Sequence, residues 1–207
     1  MMPDLYSNLH LVVRWLHVLA GITWIGHLYF FNFVNVPLQT SLDDATKKAV
    51  NPQLLPRALW WFRWGAMITF LAGLTLFVLT YFYTPGVGFG PTSLLMETGR
   101  LTHRAMWILF GMLLGTVMWF NVWMIIWPAQ KRLLTGKVPQ SAVAAVRRRA
   151  FLASRTNTFL SGPMLFGMLA PSHYGTISPS ALGMAIALGV IAAFCAIRSS
   201  SKVGQLA

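Results

Sequence analysis

From Thr102 to Trp127 the chain reads THRAMWILFGMLLGTVMWFNVWMIIW, and after Arg104 no charged residue occurs until Lys131. A helix rises about 1.5 Å per residue, so about 20 mostly apolar residues cross the hydrocarbon core of a bilayer. Lipid offers no hydrogen bonds to backbone N–H and C=O groups, so such a run must be helical. Four more stretches share the pattern: about 9–36, ending before Pro37; 60–83; 152–170, stopped by Pro171; and 179–197. The fourth is the most polar, contains Gly162 and Pro163, and follows a helical stretch, 141–155, that can run straight into it. The expectation is an all-α integral membrane protein. It has a single membrane domain over 1–207, a bundle of five transmembrane helices.

The composition agrees. The 207 residues are 56% hydrophobic and 10% charged, against about 25% charge in soluble domains. Disorder needs low hydrophobicity and is excluded. The one cysteine, Cys195, leaves no disulfide framework, no Cys-rich zinc site and no CxxCH haem attachment. The first apolar stretch is longer than a signal h-region and lacks an A-x-A site, so it reads as a retained span.

The 16 Lys+Arg face only 4 Asp+Glu, a net charge of +12. Alternating spans put Arg14, Arg100 and Arg104 on one side. The other side receives Lys47, Lys48, Arg57, Arg63, Lys131, Arg132, Lys137, Arg147, Arg148, Arg149, Arg155, Arg198 and Lys202. The positive-inside rule then places the N-terminus outside and the C-terminus inside. The basic charge therefore reports orientation and calls for no nucleic acid. Arg147 to Arg149 read as a cytoplasmic anchor on anionic lipid.

Ionisable groups inside spans are costly and are functional candidates by default. His10, His17 and His27 lie on the first span, His103 opens the third, and His173 follows the fourth. His10 and His17, seven apart, share a face. On this orientation His10, His17, His103 and His173 fall in the outer half, and His27 sits near mid-membrane, about 15 Å deeper than His17. Two imidazoles from different helices in one layer suit haem b. The first candidate ligand is His17, near Ala20, Gly21 and Trp24, with His103 or His173 as its partner and His27 as a deeper alternative. Copper or a proton relay also uses histidines, and an interfacial or interhelical histidine needs no cofactor at all.

A second polar layer falls at the inner end, with Asn32, Asn35, Asn121, Arg155 and Asn157. Amides and a guanidinium there suit a flat polar substrate or a quinone carbonyl, or serve as interhelical hydrogen-bond glue. Trp119, Trp123 and Trp127, with Trp60, Trp61 and Trp64, read as an interfacial belt. Gly111 and Gly115 form a small-residue packing face. No HExxH, G-x-S-x-G or P-loop occurs, and all four acids lie in loops or termini, so neither glycosidase-like paired-carboxylate chemistry nor an ATP-driven pump is expected.

Four motifs resemble a known family. WLHVLAGITWIG (Trp15–Gly26), WFRWGAMITFLAG (Trp61–Gly73), GTVMWFNVWMIIWPAQK (Gly115–Lys131) and RTNTFLSGPMLFGMLAPSHY (Arg155–Tyr174) are similar, in order, to the N-terminal membrane domain of the bacterial membrane-bound, cytochrome c-coupled urate oxidases. The matching positions are His17, Trp24, Asn121, Pro128, Gln130, Arg155, Asn157, His173 and Arg198. The resemblance implies an oxidoreductase module passing electrons to cytochrome c. Full-length members have further helices between the second and third matched spans and a C-terminal cytochrome c domain. His173 lies in PSHYG, where the family pattern resembles SNHYP. The expectation is a short stand-alone form: a membrane redox subunit binding haem b near the periplasmic face. Its cofactor residues would be His17, His103, His173, His27 and Trp24, with His17 and His173 on the iron. The electrons would go to a periplasmic cytochrome c or a larger respiratory-type complex. Urate oxidation itself, with Asn121, Arg155 and Asn157 on the purine, is the alternative, and a non-catalytic accessory subunit is a third reading.

Overall fold

The structure is a computed structural model and describes residues 4–91 and 93–203. Five long helices carry it: α1 Leu5–Ser41, α2 Asp44–Tyr81, α3 His103–Leu134, α4 Val143–Leu169 and α5 Pro179–Ser200. Side-chain oxygens start four of them. Asp4 accepts from the Ser7 N–H at 2.7 Å, Asp43 from Thr46 at 2.9 Å, Thr102 from Ala105 and Ser178 from Ala181, the last two at 3.1 Å. Each cap satisfies a donor that the first helical turn leaves open. Between α2 and α3 the chain makes a small antiparallel hairpin, β1 Tyr83–Thr84 with β2 Gly88–Phe89. Gly86 and Gly88 turn it at φ of +79° and +105°, which a side chain would resist.

Among the described residues, α1, α2, α3 and α5 are long and apolar enough to cross a membrane. The fourth expected span is a helix, continuous with the upstream stretch as anticipated, but Arg147, Arg148, Arg149 and Arg155 in its first half lower its hydropathy. The ends differ from expectation. Pro37 and Pro128 do not stop their helices, which run on to Ser41 and Leu134. Each proline is preceded by a π-helical turn, Phe30–Asn35 and Asn121–Ile126, where bonding widens by one residue. The Val36 N–H thus reaches the Phe31 carbonyl and the Trp127 N–H that of Val122, so the helix passes the proline without a break. The expected 37–59 loop is likewise mostly helix. The first turns of α2 are polar and hold Pro52 and Pro56, so a search for apolar runs missed them.

Neighbouring helices pack α1 on α2, α3 on α4, and α4 on α5. In lipid, apolar side chains gain little by associating, so close backbone approach carries the packing. A Cβ at Gly65 would stand 3.0 Å from the Trp24 backbone nitrogen, and one at Gly111 3.0 Å from that of Met168. A Cβ at Gly162 would meet the Gly189 Cα at 2.6 Å. A side chain at Gly162 would force the two backbones apart, and one at Gly65 or Gly111 would be tight. The first four helices enclose Trp24, Leu28, Phe62, Met118, Val122 and Met164. Near the hairpin, Trp107 packs with Ala170 and Ala185. Helix α5 buries only Ala185 and Ala193, while Leu188, Ile191 and Phe194 face outward.

Candidate functional site

His17 lies on α1 against α2. Its Nδ1 bonds the Thr69 carbonyl oxygen at 2.9 Å. A carbonyl only accepts, so Nδ1 carries the proton and Nε2 keeps a lone pair. Gly73 makes room for the ring: a Cβ there would lie 3.0 Å from His17 Cε1. An imidazole fixed in this way by a backbone carbonyl presents its other nitrogen as an acceptor.

Two cavities meet at this ring. The larger, about 510 Å³, is walled by α1, α2, α3 and α4 and includes Gly21, Trp24, Gly115 and Met168. Its lining is almost wholly apolar, yet the buried Trp24 indole N–H has no hydrogen-bond partner among the described residues. The smaller, about 300 Å³, opens toward the hairpin end and brings together His17, His173, Arg14, Arg104 and Tyr81. The two share His17, Val18, Gly73, Met112, Met168 and Leu169.

The expected residues separate. His17 and His173 line one cavity, and Trp24 lines the adjoining one. His103 lies outside both: its Nδ1 accepts the Ile177 N–H at 3.3 Å and ties down the loop before α5. His27 bonds the Thr23 carbonyl of its own helix at 2.7 Å and faces a separate groove. His10 bonds Thr80 Oγ1 at 3.1 Å. Asn121 and Asn157 meet at 2.7 Å, and Asn157 also donates to the Met118 carbonyl. Arg155 stands over Phe151 at 5.0 Å, with its Nη1 unpartnered among the described residues. The sequence reading passed over Arg14, Arg104, Thr69, Gly73 and Met168. Only the antiparallel pairing of α1 with α2 and of α3 with α4 brings them to His17.

Near the arginine-rich end, a cavity of about 140 Å³ holds Asn32, Asn35, Gln130 and Arg147. Asn32 is 1% exposed. Its Nδ2 donates to Leu28 O and Ser154 Oγ, while Oδ1 lacks any donor among the described residues. Close by, Gln39 and Asn51 exchange two amide bonds, both 2.9 Å, joining α1 to α2. Arg63 lies between the tryptophans, 3.8 Å from the Trp127 ring centre, and its carbonyl takes the Trp123 N–H.

No match was found among curated protein sequences or among solved structures. A family model described as urate oxidase N-terminal matches in three overlapping stretches, residues 3–50, 42–97 and 92–203. Those stretches take in both His17 cavities, the amide layer and all five helices, so the chain belongs to the urate oxidase N-terminal family.

Proposed function

We propose that this chain is a redox subunit of the bacterial inner membrane, N-terminus outside, that holds haem b between α1 and the segment after α4. One observation carries the reading. The lone pair of His17 Nε2 has no partner among the described residues, and His17 lines a cavity that His173, Arg14 and Arg104 also line. The donor set fits the group: two imidazoles for iron, two guanidiniums for propionates, apolar walls for the macrocycle, and a free indole N–H on Trp24. Bound there, haem supplies one-electron transfer. The protein's own share is to fix the His17 tautomer through Thr69, exclude water with Met112 and Met168, and offset negative charge with Arg14 and Arg104. The partner is a periplasmic cytochrome c or a larger oxidoreductase complex. A dithionite-minus-air difference spectrum of the purified protein tests this: a Soret and α-band are expected in wild type and absent in His17→Ala. A colourless wild type, purified from haem-replete cells, would overturn it.

Urate oxidation is favoured by a different observation, the Asn32 cavity. An acceptor without a donor at its inner end and Arg147 at its wall suit an anion that carries its own N–H groups. On this reading the substrate contacts are Asn32 and Arg147, while Asn121 and Asn157 position α3 on α4. Urate-dependent cytochrome c reduction by membranes, lost in Asn32→Leu, is the expected result. No urate-dependent rate would sink it.

A further inference from the structure

The groove that His27 faces takes no part in either site described above. It runs between α1 and α2, measures about 490 Å³, and is lined by Thr23, Gly26, His27, Phe30, Arg57 and Trp61, among others. It opens on the outer flank of the bundle: Ile22 is 64% and Trp61 55% exposed, as expected of residues facing lipid. A Cβ at Gly26 would meet nothing within 4 Å, so the groove is open there. Its polar groups are few and specific. His27 Nδ1 donates to the Thr23 carbonyl, so in the neutral ring Nε2 is an acceptor, and it has no donor among the described residues. Arg57, exposed at the arginine-rich end, spends one donor on the Gln53 carbonyl and keeps the rest.

An acceptor on a lipid-facing flank cannot rely on water. His27 lies about 14 Å along α1 from Val36, where the apolar span ends, at about 1.5 Å per residue. A phospholipid presents ester and phosphate acceptors, and any headgroup hydroxyl stays at the surface. The occupant must therefore dissolve in the bilayer, bring a hydroxyl to mid-depth, and lay a flat ring on Phe30 and Trp61. We propose that this groove binds a lipid-soluble quinol, its ring hydroxyl donating to His27 Nε2. The oxidised quinone offers only carbonyls to that nitrogen and binds more weakly. The groove shares Ile22 and Gly26 with the larger His17 cavity but excludes His17 itself. The proposal concerns binding alone and stands whether or not haem occupies that cavity.

The test is photolabelling of the full chain in phosphatidylcholine nanodiscs with an azido-ubiquinone, reduced in place and mapped by mass spectrometry. Label is expected on Leu54, Trp61 or Phe30. Unlabelled short-chain ubiquinol should compete at about tenfold lower concentration than the quinone, the order of one lost hydrogen bond. His27→Leu should cut labelling about tenfold. Leu54→Trp, which fills the groove from α2 and leaves His27 in place, should do the same. The dithionite spectrum of both variants should equal wild type, which separates this site from the His17 site. Label elsewhere, equal labelling in both variants, or competition by phosphatidylglycerol as effective as by quinol would each overturn the proposal.

Discussion

The two polar layers of the bundle use the same kind of residue budget differently. At the hairpin end, His17 holds one nitrogen on Thr69 and leaves the other open, and Arg14, Arg104 and His173 stand around the same space. At the arginine-rich end the amides close on each other: Asn121 on Asn157, Gln39 on Asn51, Asn32 on Ser154. Polar groups that satisfy one another hold helices together, whereas groups left with a lone pair beside a cavity are arranged for a visitor. Residue type alone does not separate the two cases. Asn32 shows this, because it donates twice within the protein while its Oδ1 has no donor among the described residues.

The contrast can be broken most directly by exchanging the damage. On the proposed haem reading, His17→Ala should abolish the Soret and α-band while the protein still purifies as a folded species by size exclusion. Asn157→Ala should leave the spectrum intact and instead destabilise the bundle by about 1–3 kcal/mol, because Asn121 is left without its acceptor. Thermal unfolding in detergent measures it. If Asn157→Ala removes the haem and His17→Ala does not, the two layers have been assigned the wrong way round. The double variant Asn121→Ala with Asn157→Ala sharpens the point. Removing both partners should cost less than the sum of the single losses, since no orphaned amide remains.

A smaller effect is expected from Arg14→Gln with Arg104→Gln. Two positive charges beside a haem disfavour its oxidised, more positive form, so their loss should lower the midpoint potential by on the order of tens of millivolts. Redox titration checks it, and an unchanged potential would remove the arginines from the site. The smallest effect lies outside the layers. The Asp43 carboxylate accepts the Thr46 backbone N–H at the start of α2, which holds its pKa below the usual carboxylate value. A depressed folded value stabilises above the ordinary carboxylate range and is lost as pH falls through the folded value. Asp43→Asn should therefore flatten the acid limb of a pH-stability profile and leave neutral pH almost unchanged.

The helices were legible because apolar runs of this length admit one backbone solution, and the family was legible from four ordered motifs. Helix ends were not: a search for apolar runs cannot see the polar turns of α2 from Asp44 onward, and it read Pro37 and Pro128 as stops. Within the candidate site, His17, His173 and Trp24 were nominated from the chain, because intramembrane histidines are rare and costly. In the chain alone, Arg14 and Arg104 are only flanking charges. Thr69 contributes a backbone carbonyl, which any residue has, and its role exists only once α2 lies antiparallel to α1 at His17. The same blindness made Asn121, Asn157 and Arg155 look like one set, although the amides bond each other and the guanidinium turns to Phe151.

The two π-helical turns have a consequence for anyone shortening or aligning this chain. Each holds one residue more than an α-turn accommodates, and a residue advances a helix by about 100°. Everything beyond such a turn is thus set out of phase with what precedes it. Deleting a single residue from Phe30–Asn35 would restore ordinary helix and keep Gln39 on Asn51, because the π-turn rotates the chain about as far as an α-helical stretch one residue shorter. The same deletion within Asn121–Ile126 would keep Trp127 on Arg63. A one-residue gap placed outside these turns would instead rotate everything beyond it by about 100°, a larger change than most substitutions can make.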